Sequence, residues 1–249
     1  AEARLEATKM SELMGQQFVV DYKPGAGSTV GTAHVAKAAP DGYTLLVASG
    51  PFTSLAALYK DLGFDPVKDF APVSLMSKRT TVLLVSPGFG PKTFPEYVAY
   101  AKANPGKLNF GTGPMLTELA AGRIDVAPAN LLVATPQIKA GKARVLAVMS
   151  DQRTPLLPGV PTIAEQGIPG YDYASWLGYI APAATPAAIV NRLSENFAKV
   201  AKAPDIAKRF ENEGAFMIGS SPAEFRRLIV TESERWNTVV RDNQIRPED

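Results

Sequence analysis

The chain has 249 residues, 26 Lys and Arg against 24 Asp and Glu, a formal net charge of +2, and 46% hydrophobic residues. That balance suits one large domain or two modest ones with a real core, and the scattered basic residues leave no electrostatic footprint of a nucleic-acid binder. Without cysteine there are no disulfides, thiol nucleophiles or thiolate metal sites, which fits an oxidising compartment. His34 is the single histidine, one candidate for a triad and too few for a His-rich metal site. No stretch approaches the ~20 consecutive apolar residues of a membrane-spanning helix.

Residues 1–15 read as a helix, with Leu5, Met10, Leu13 and Met14 on one face and Gly15 as its stop. They show no charged n-region, apolar h-region or cleavage site, so any secretory signal has been removed or was never present. Residues 18–22 (Phe-Val-Val-Asp-Tyr) predict a strand and residues 30–39 a helix. Between them lies Pro24-Gly25-Ala26-Gly27-Ser28. Its glycines permit unusual torsions and close approach to main-chain N–H groups, and the helix that follows adds free donors and the positive end of a dipole. An anion is the physical expectation there, and a plain tight connection is the alternative. The spacing of Gly25, Gly27 and Gly31 is neither a dinucleotide fingerprint nor a P-loop. A small carboxylate therefore suits it better than a nucleotide.

Residues 40–42 mark a turn, and residues 43–48 predict a buried strand that runs into Ser49-Gly50-Pro51, with Thr53 and Ser54 beyond. Strands are expected at 73–76, 81–85, 108–110, 124–127, 144–149 and 174–180, and helices at 94–103, 116–121 and from 135 to Gly141. Residues 155–170 are rich in Pro and Gly, as crossings between lobes are. Gly111-Thr112-Gly113 is a third small-residue loop after a strand. In open α/β sheets ligands bind outside the carboxyl ends of strands, where all three loops would fall. The alternation itself argues for parallel or mostly parallel sheets. From residue 187 the chain is helical, with Ile189, Leu193, Phe197 and Val200 in one stripe continued by Ile206 and Phe210. The last helix starts at Ser221-Pro222 and runs past Trp236.

With these motifs in place, the sequence resembles the Bug-type periplasmic solute-binding proteins, the receptors of tripartite tricarboxylate transporters. The resemblance rests on an ordered series: Lys23-Pro24-Gly25-Ala26-Gly27, Val35-Ala36-Lys37-Ala38-Ala39-Pro40-Asp41-Gly42-Tyr43-Thr44-Leu45, Leu58-Tyr59, Phe64-Asp65-Pro66 and Asp69-Phe70. It continues through Gln137-Ile138-Lys139-Ala140-Gly141-Lys142, Leu146-Ala147-Val148, Val160-Pro161-Thr162-Ile163-Ala164-Glu165-Gln166-Gly167, Trp176-Leu177-Gly178, Ala181-Pro182, Thr185-Pro186, Gly214, Ser221-Pro222 and Trp236. Two departures stand out. The family pattern begins with a strand and a Pro-Gly-Gly-type loop ahead of the first helix, and it carries a longer loop, a helix and a Val-Pro-Tyr-Lys-Gly-like segment where Gly113 here meets Pro114. The resemblance implies that both pieces, ligand-side in the family, lie outside the present sequence. Such loops lose their ordering contacts in an empty cleft, which points to an open, unliganded form.

The resemblance implies a two-lobed, type II periplasmic-binding-protein α/β fold. One mostly parallel sheet per lobe is expected, with residues 1–84 and 176–249 in the first lobe, 85–175 in the second and a ligand cleft between them. It implies a monomeric periplasmic receptor without cofactor, catalytic residues or metal, which captures a small organic acid and delivers it to the membrane components of a transporter. The acid would be a di- or tricarboxylate, an acidic amino acid or an aromatic acid. The candidate ligand-binding residues are Gly25, Ala26, Gly27, Ser28, Ser49, Gly50, Thr53, Gly111, Thr112, Gly113, Asn130 and Trp176. Helix capping is the alternative role for Ser49 and Thr53, a turn for Asn130, and a hinge or core aromatic for Trp176. A receptor for a sensor system is the competing function. A hydrolase-like α/β enzyme is weaker, since a G-x-S-x-G elbow is absent and His34 falls mid-helix.

Overall fold

Continuous burial of the central strands organises the chain into two sheets, each covered on both faces. The computed structural model describes residues 2–59, 61–111 and 116–245. The elements begin with α1 (Glu2–Met14), α2 (Thr29–Ala36), β1 (Leu46–Ser49), α3 (Leu55–Leu58), β2 (Phe70–Arg79), β3 (Thr81–Val85) and α4 (Phe94–Ala103). They continue with α5 (Leu116–Ala120), β4 (Val126–Asn130), α6 (Leu131–Lys139), β5 (Arg144–Val148) and β6 (Ser175–Pro182). The chain closes with α7 (Ala187–Lys202), α8 (Pro204–Asn212), β7 (Ala215–Met217) and α9 (Pro222–Asp242). Two units result. The first comprises 1–77, 176–208 and 217–249, and the second 78–175 and 209–216.

The four-stranded sheet has the order β1-β6-β2-β7, with β1 antiparallel to β6. Strand β6 sets the two layers. Trp176 and Ile180 pack with Val35, Phe52, Leu55, Phe70, Phe225 and Ile229 on one face. Tyr179 and Ala181 point the other way, toward Met10, Val190, Leu193, Phe197 and Val200. The α7 residues recur every three or four positions, the spacing of one helical face, and burying each stabilises by roughly 1.5–3 kcal/mol. Helix α9 starts where the Ser-Pro signal predicts it: Ser221 and Glu224 form a reciprocal capping box with Pro222 in the first turn. The Trp176 and Phe225 rings meet edge to face at 5.4 Å, and Phe225 lies over Gly178, where no side chain intervenes.

The second unit is built on β4-β3-β5. All five residues of β3 are buried, as befits a central strand. Val82 and Leu84 face Leu119, Leu131 and Ala134, while Leu83 and Val85 face Phe94, Leu146 and Ile163. The expectation of a mostly parallel sheet is corrected here, since β3 runs antiparallel to both β4 and β5. The alternation β4-α6-β5 does yield two strands of common direction, and the bridges Phe110↔Val126 and Val148↔Thr162 add parallel neighbours at either edge. Strand β3, inserted between β4 and β5, runs against them.

Three local expectations also change. Residues 18–22 form no strand; Val19 is 76% exposed, and the Phe18 N–H is taken by the Ser11 hydroxyl at 2.8 Å instead of by a sheet. Strand β1 begins at Leu46 rather than residue 43, because Tyr43 is solvent-exposed. Residues 108–110 contribute only the bridge at Phe110.

Beneath α1 lies a buried polar group. Tyr179 donates to Glu6 Oε2 at 2.7 Å and stacks on Phe197 with ring centroids 4.1 Å apart, while the Ser77 hydroxyl donates to Glu2. Burial first, then the nearby Glu6 and Glu2 carboxylates, hold the Tyr179 phenol well above its ordinary value of 10.0.

Gly178→Ala would bring a Cβ to 2.8 Å from the Ser74 carbonyl and against the Phe225 ring. We expect a loss of about 1–3 kcal/mol, read as a lower urea midpoint at unchanged slope; an unaltered midpoint would contradict the packing. Tyr179 supplies a pH test. The folded protein keeps a proton that the unfolded chain releases near 10.0, so this stability is complete below that pH and is lost as pH rises through and beyond it. Urea midpoints measured across that range should fall more steeply for the wild type than for Tyr179→Phe.

Candidate functional site

Two loops of the first unit converge. The turn before α2 consists of a short 3₁₀ segment, Ala26–Ser28, with Gly25 at φ 136° and Gly27 at φ 60°. These are left-handed torsions that glycine tolerates and larger residues resist. Ser28 sits at φ 77°, an uncommon position for a residue with a side chain. Its N–H is held by the Gly25 carbonyl at 3.0 Å, and its carbonyl accepts from the Thr32 hydroxyl at 2.8 Å. The Ser28 side chain does not cap α2. The first turn of that eight-residue helix therefore donates no hydrogen bond to the Ser28 side chain.

The second loop follows β1. Ser49 is extended, and its hydroxyl makes no cap to the 3₁₀ turn Gly50–Ser54 that it precedes. The capping alternative is thus not what the Ser49 geometry supports. The Ser54 hydroxyl folds back to the Pro51 carbonyl at 2.9 Å. Thr53 is 1% exposed, with its hydroxyl 2.8 Å from the Gly50 carbonyl and 3.1 Å from Glu232 Oε2. Thr53 consequently lies behind the loop rather than at its surface. Phe52 anchors the turn edge-on against Phe70, 5.4 Å between centroids.

Gly27, Ser28 and Thr32 share a concavity of ≈ 40 Å³ with residues 46–49, Pro51, Phe52 and Leu55. It has room for a carboxylate head and little more. No ionised side chain lines it, so recognition there falls to hydroxyls and main-chain N–H groups. Lys23, the nearest cation in sequence, is paired with Asp21 at 3.2 Å.

The other candidate residues divide. Gly111 donates its N–H to the Val126 carbonyl at 3.0 Å in the second unit, and Thr112 and Gly113 lie outside the described residues. Asn130 ends β4 opposite Thr81 and precedes α6 without a side-chain cap. Trp176 is 2% exposed, and its indole N–H donates to Glu232 Oε2 at 2.8 Å, the core role weighed for it from sequence.

Sequence reasoning missed three features. Glu232 receives both Trp176 and Thr53, yet its place in the polar stretch of α9 marks it only as a surface residue. The Tyr59 hydroxyl would lie 3.4 Å from a Cβ at Gly27, which nothing in the pattern around Tyr59 signals. Buried Thr80 and Thr81 hydroxyls near Asn130 have no partner among the described residues. Two threonines heading an apolar strand were the available clue.

His34 is exposed on α2, and the described residues contain no group of three His, Cys, Asp or Glu able to hold a metal ion. None of the described helices is long and apolar enough to cross a membrane.

The family model for the tripartite tricarboxylate transporter family receptor matches residues 2–115 and 111–245, two stretches that overlap at 111–115. Among solved structures, Rpa4515 of Rhodopseudomonas palustris with adipate is 30% identical, covering 99% of this chain and 93% of that one at a TM-score of 0.84. MatC (Rpa3494) from the same organism, with bound malate, is 29% identical over 96% and 93% of the two chains at a TM-score of 0.82. The periplasmic binding protein BugD is 26% identical over 99% and 93%, also at 0.82. BugD is a periplasmic binding protein, and the likeness in structure supports the periplasmic-binding-protein α/β fold expected from the sequence. The chain belongs to the tripartite tricarboxylate transporter receptor family of periplasmic solute-binding proteins.

Proposed function

We propose that this protein is a periplasmic receptor that binds a small organic acid, with a dicarboxylate as the first choice, and passes it as a monomer to the membrane components of a tripartite tricarboxylate transporter. The observation that supports this reading is the shared concavity of Gly27, Ser28 and Ser49, where two serine hydroxyls are not spent on helix caps. One carboxylate group fits there, met by the hydroxyls and the α2 first turn. Donors of this kind form short, charge-assisted hydrogen bonds to a carboxylate without a formal cation. Gly25, Ala26 and Gly50 shape the approach of the main chain. That malate and adipate occupy relatives of similar fold favours dicarboxylates over monoacids. Delivery and the monomeric state rest on the family alone.

The test is calorimetric titration and thermal shift against malate, adipate, citrate, aspartate and benzoate. A bound acid at a hundred times its dissociation constant should stabilise by about 2.7 kcal/mol, with no turnover of the ligand. Absence of a response to every acid would overturn the receptor reading. In the same assay Gly27→Asp should raise the dissociation constant at least about tenfold, because it adds negative charge to the loop and forces a side chain into φ 60°. Unchanged affinity would remove the first loop from the site.

A further inference from the structure

The second candidate loop is held from behind by one carboxylate. Glu232 Oε2, on α9, lies 2.8 Å from Trp176 Nε1 and 3.1 Å from Thr53 Oγ1. Thr53 and Trp176 are 1% and 2% exposed. The single Thr53 proton is shared between Glu232 and the Gly50 carbonyl, so the turn Gly50–Ser54 is tied to α9 and not only to itself. Trp176 is also the residue at which the chain re-enters the first unit after Ser175. One oxygen therefore joins the turn that follows Ser49 to the start of β6. Hydrogen bonds to an ionised acceptor are roughly twice as strong as neutral ones. Removing the acceptor would leave the buried indole N–H without a partner and release the Thr53 hydroxyl to Gly50 alone.

We propose that Glu232 is a positioning residue for acid binding: it does not touch the ligand, but fixes the Ser49–Ser54 loop through Thr53 and couples its placement to Trp176. This rests on the receptor reading above. If the loop is fixed this way, an acid drawn to Ser49 perturbs the Thr53–Glu232–Trp176 chain, and the Trp176 indole reports its arrival. The amide oxygen of glutamine can accept from the same two donors, whereas leucine can accept from neither.

The experiment measures dissociation constants for malate, adipate and citrate, and Trp176 emission during each titration, in a Trp236→Phe background that leaves one tryptophan. For whichever of these acids the parent binds, Glu232→Leu should raise the dissociation constant about tenfold or more and abolish the emission change. Glu232→Gln should stay within about threefold and keep the change. Thr53→Val should weaken binding while preserving the Trp176–Glu232 bond, and it carries the test should Glu232→Leu fail to fold. A purely structural Glu232 would show itself as a lower melting temperature in Glu232→Leu with affinity and emission response intact, or as unaltered affinity in Thr53→Val, and either result overturns the proposal. Failure of the parent itself to bind any of the three acids would overturn the receptor reading and this inference together.

Discussion

The candidate site depends on β6 being buried on both faces. Its even-numbered residues, Trp176, Gly178 and Ile180, support α9 and the second loop, and its odd-numbered residues, Tyr179 and Ala181, support α7 and α1. A strand so placed cannot slip by one residue without turning each set toward the wrong layer. Gly178 makes the register stricter still, because only a residue lacking Cβ lets the Phe225 ring approach the strand so closely beside the Ser74 carbonyl. Once Phe225 is seated, α9 is fixed, and with it Glu232, Thr53 and the turn after Ser49.

On that frame the loops can afford unfavourable local geometry. Ser28 at φ 77° is disfavoured by its own side chain and stays there because Gly25, Thr32 and the start of α2 hold its backbone. The result is a concavity lined by apolar residues together with the hydroxyl-bearing Ser28, Thr32 and Ser49, and by no cation. Such a site discriminates by geometry. A carboxylate fits donors set at fixed positions, whereas a lysine would attract many anions on a flexible stem.

Much of the fold could be read from the sequence because local signals agreed with tertiary packing. Helix α4 has the predicted bounds, with Thr93 accepting from the Glu96 N–H and Pro95 in its first turn; α7 and α9 follow their apolar spacing. Residues 18–22 misled because strand composition does not supply a neighbouring strand, and β formation depends on long-range pairing. The direction of β3 was hidden for a related reason. Alternating strands and helices reveal which strands share a crossover, but not that a further strand inserts between them. In the site, Ser28 and Ser49 were marked by their place at strand-to-helix turns. Thr53 carried the same mark and Trp176 lay in a predicted strand, and both turn inward because Glu232, far along the chain, gives their polar atoms a partner.

In the proposed receptor, uncharged donors of the first two loops hold the ligand's carboxylate. A crystal structure of the protein with a bound dicarboxylate tests it most directly. Carboxylate oxygens should lie about 2.5–3.0 Å from the Ser28 and Ser49 hydroxyls, the normal range for such bonds. A dicarboxylate held instead by lysine or arginine side chains, with both serines out of reach, would contradict it.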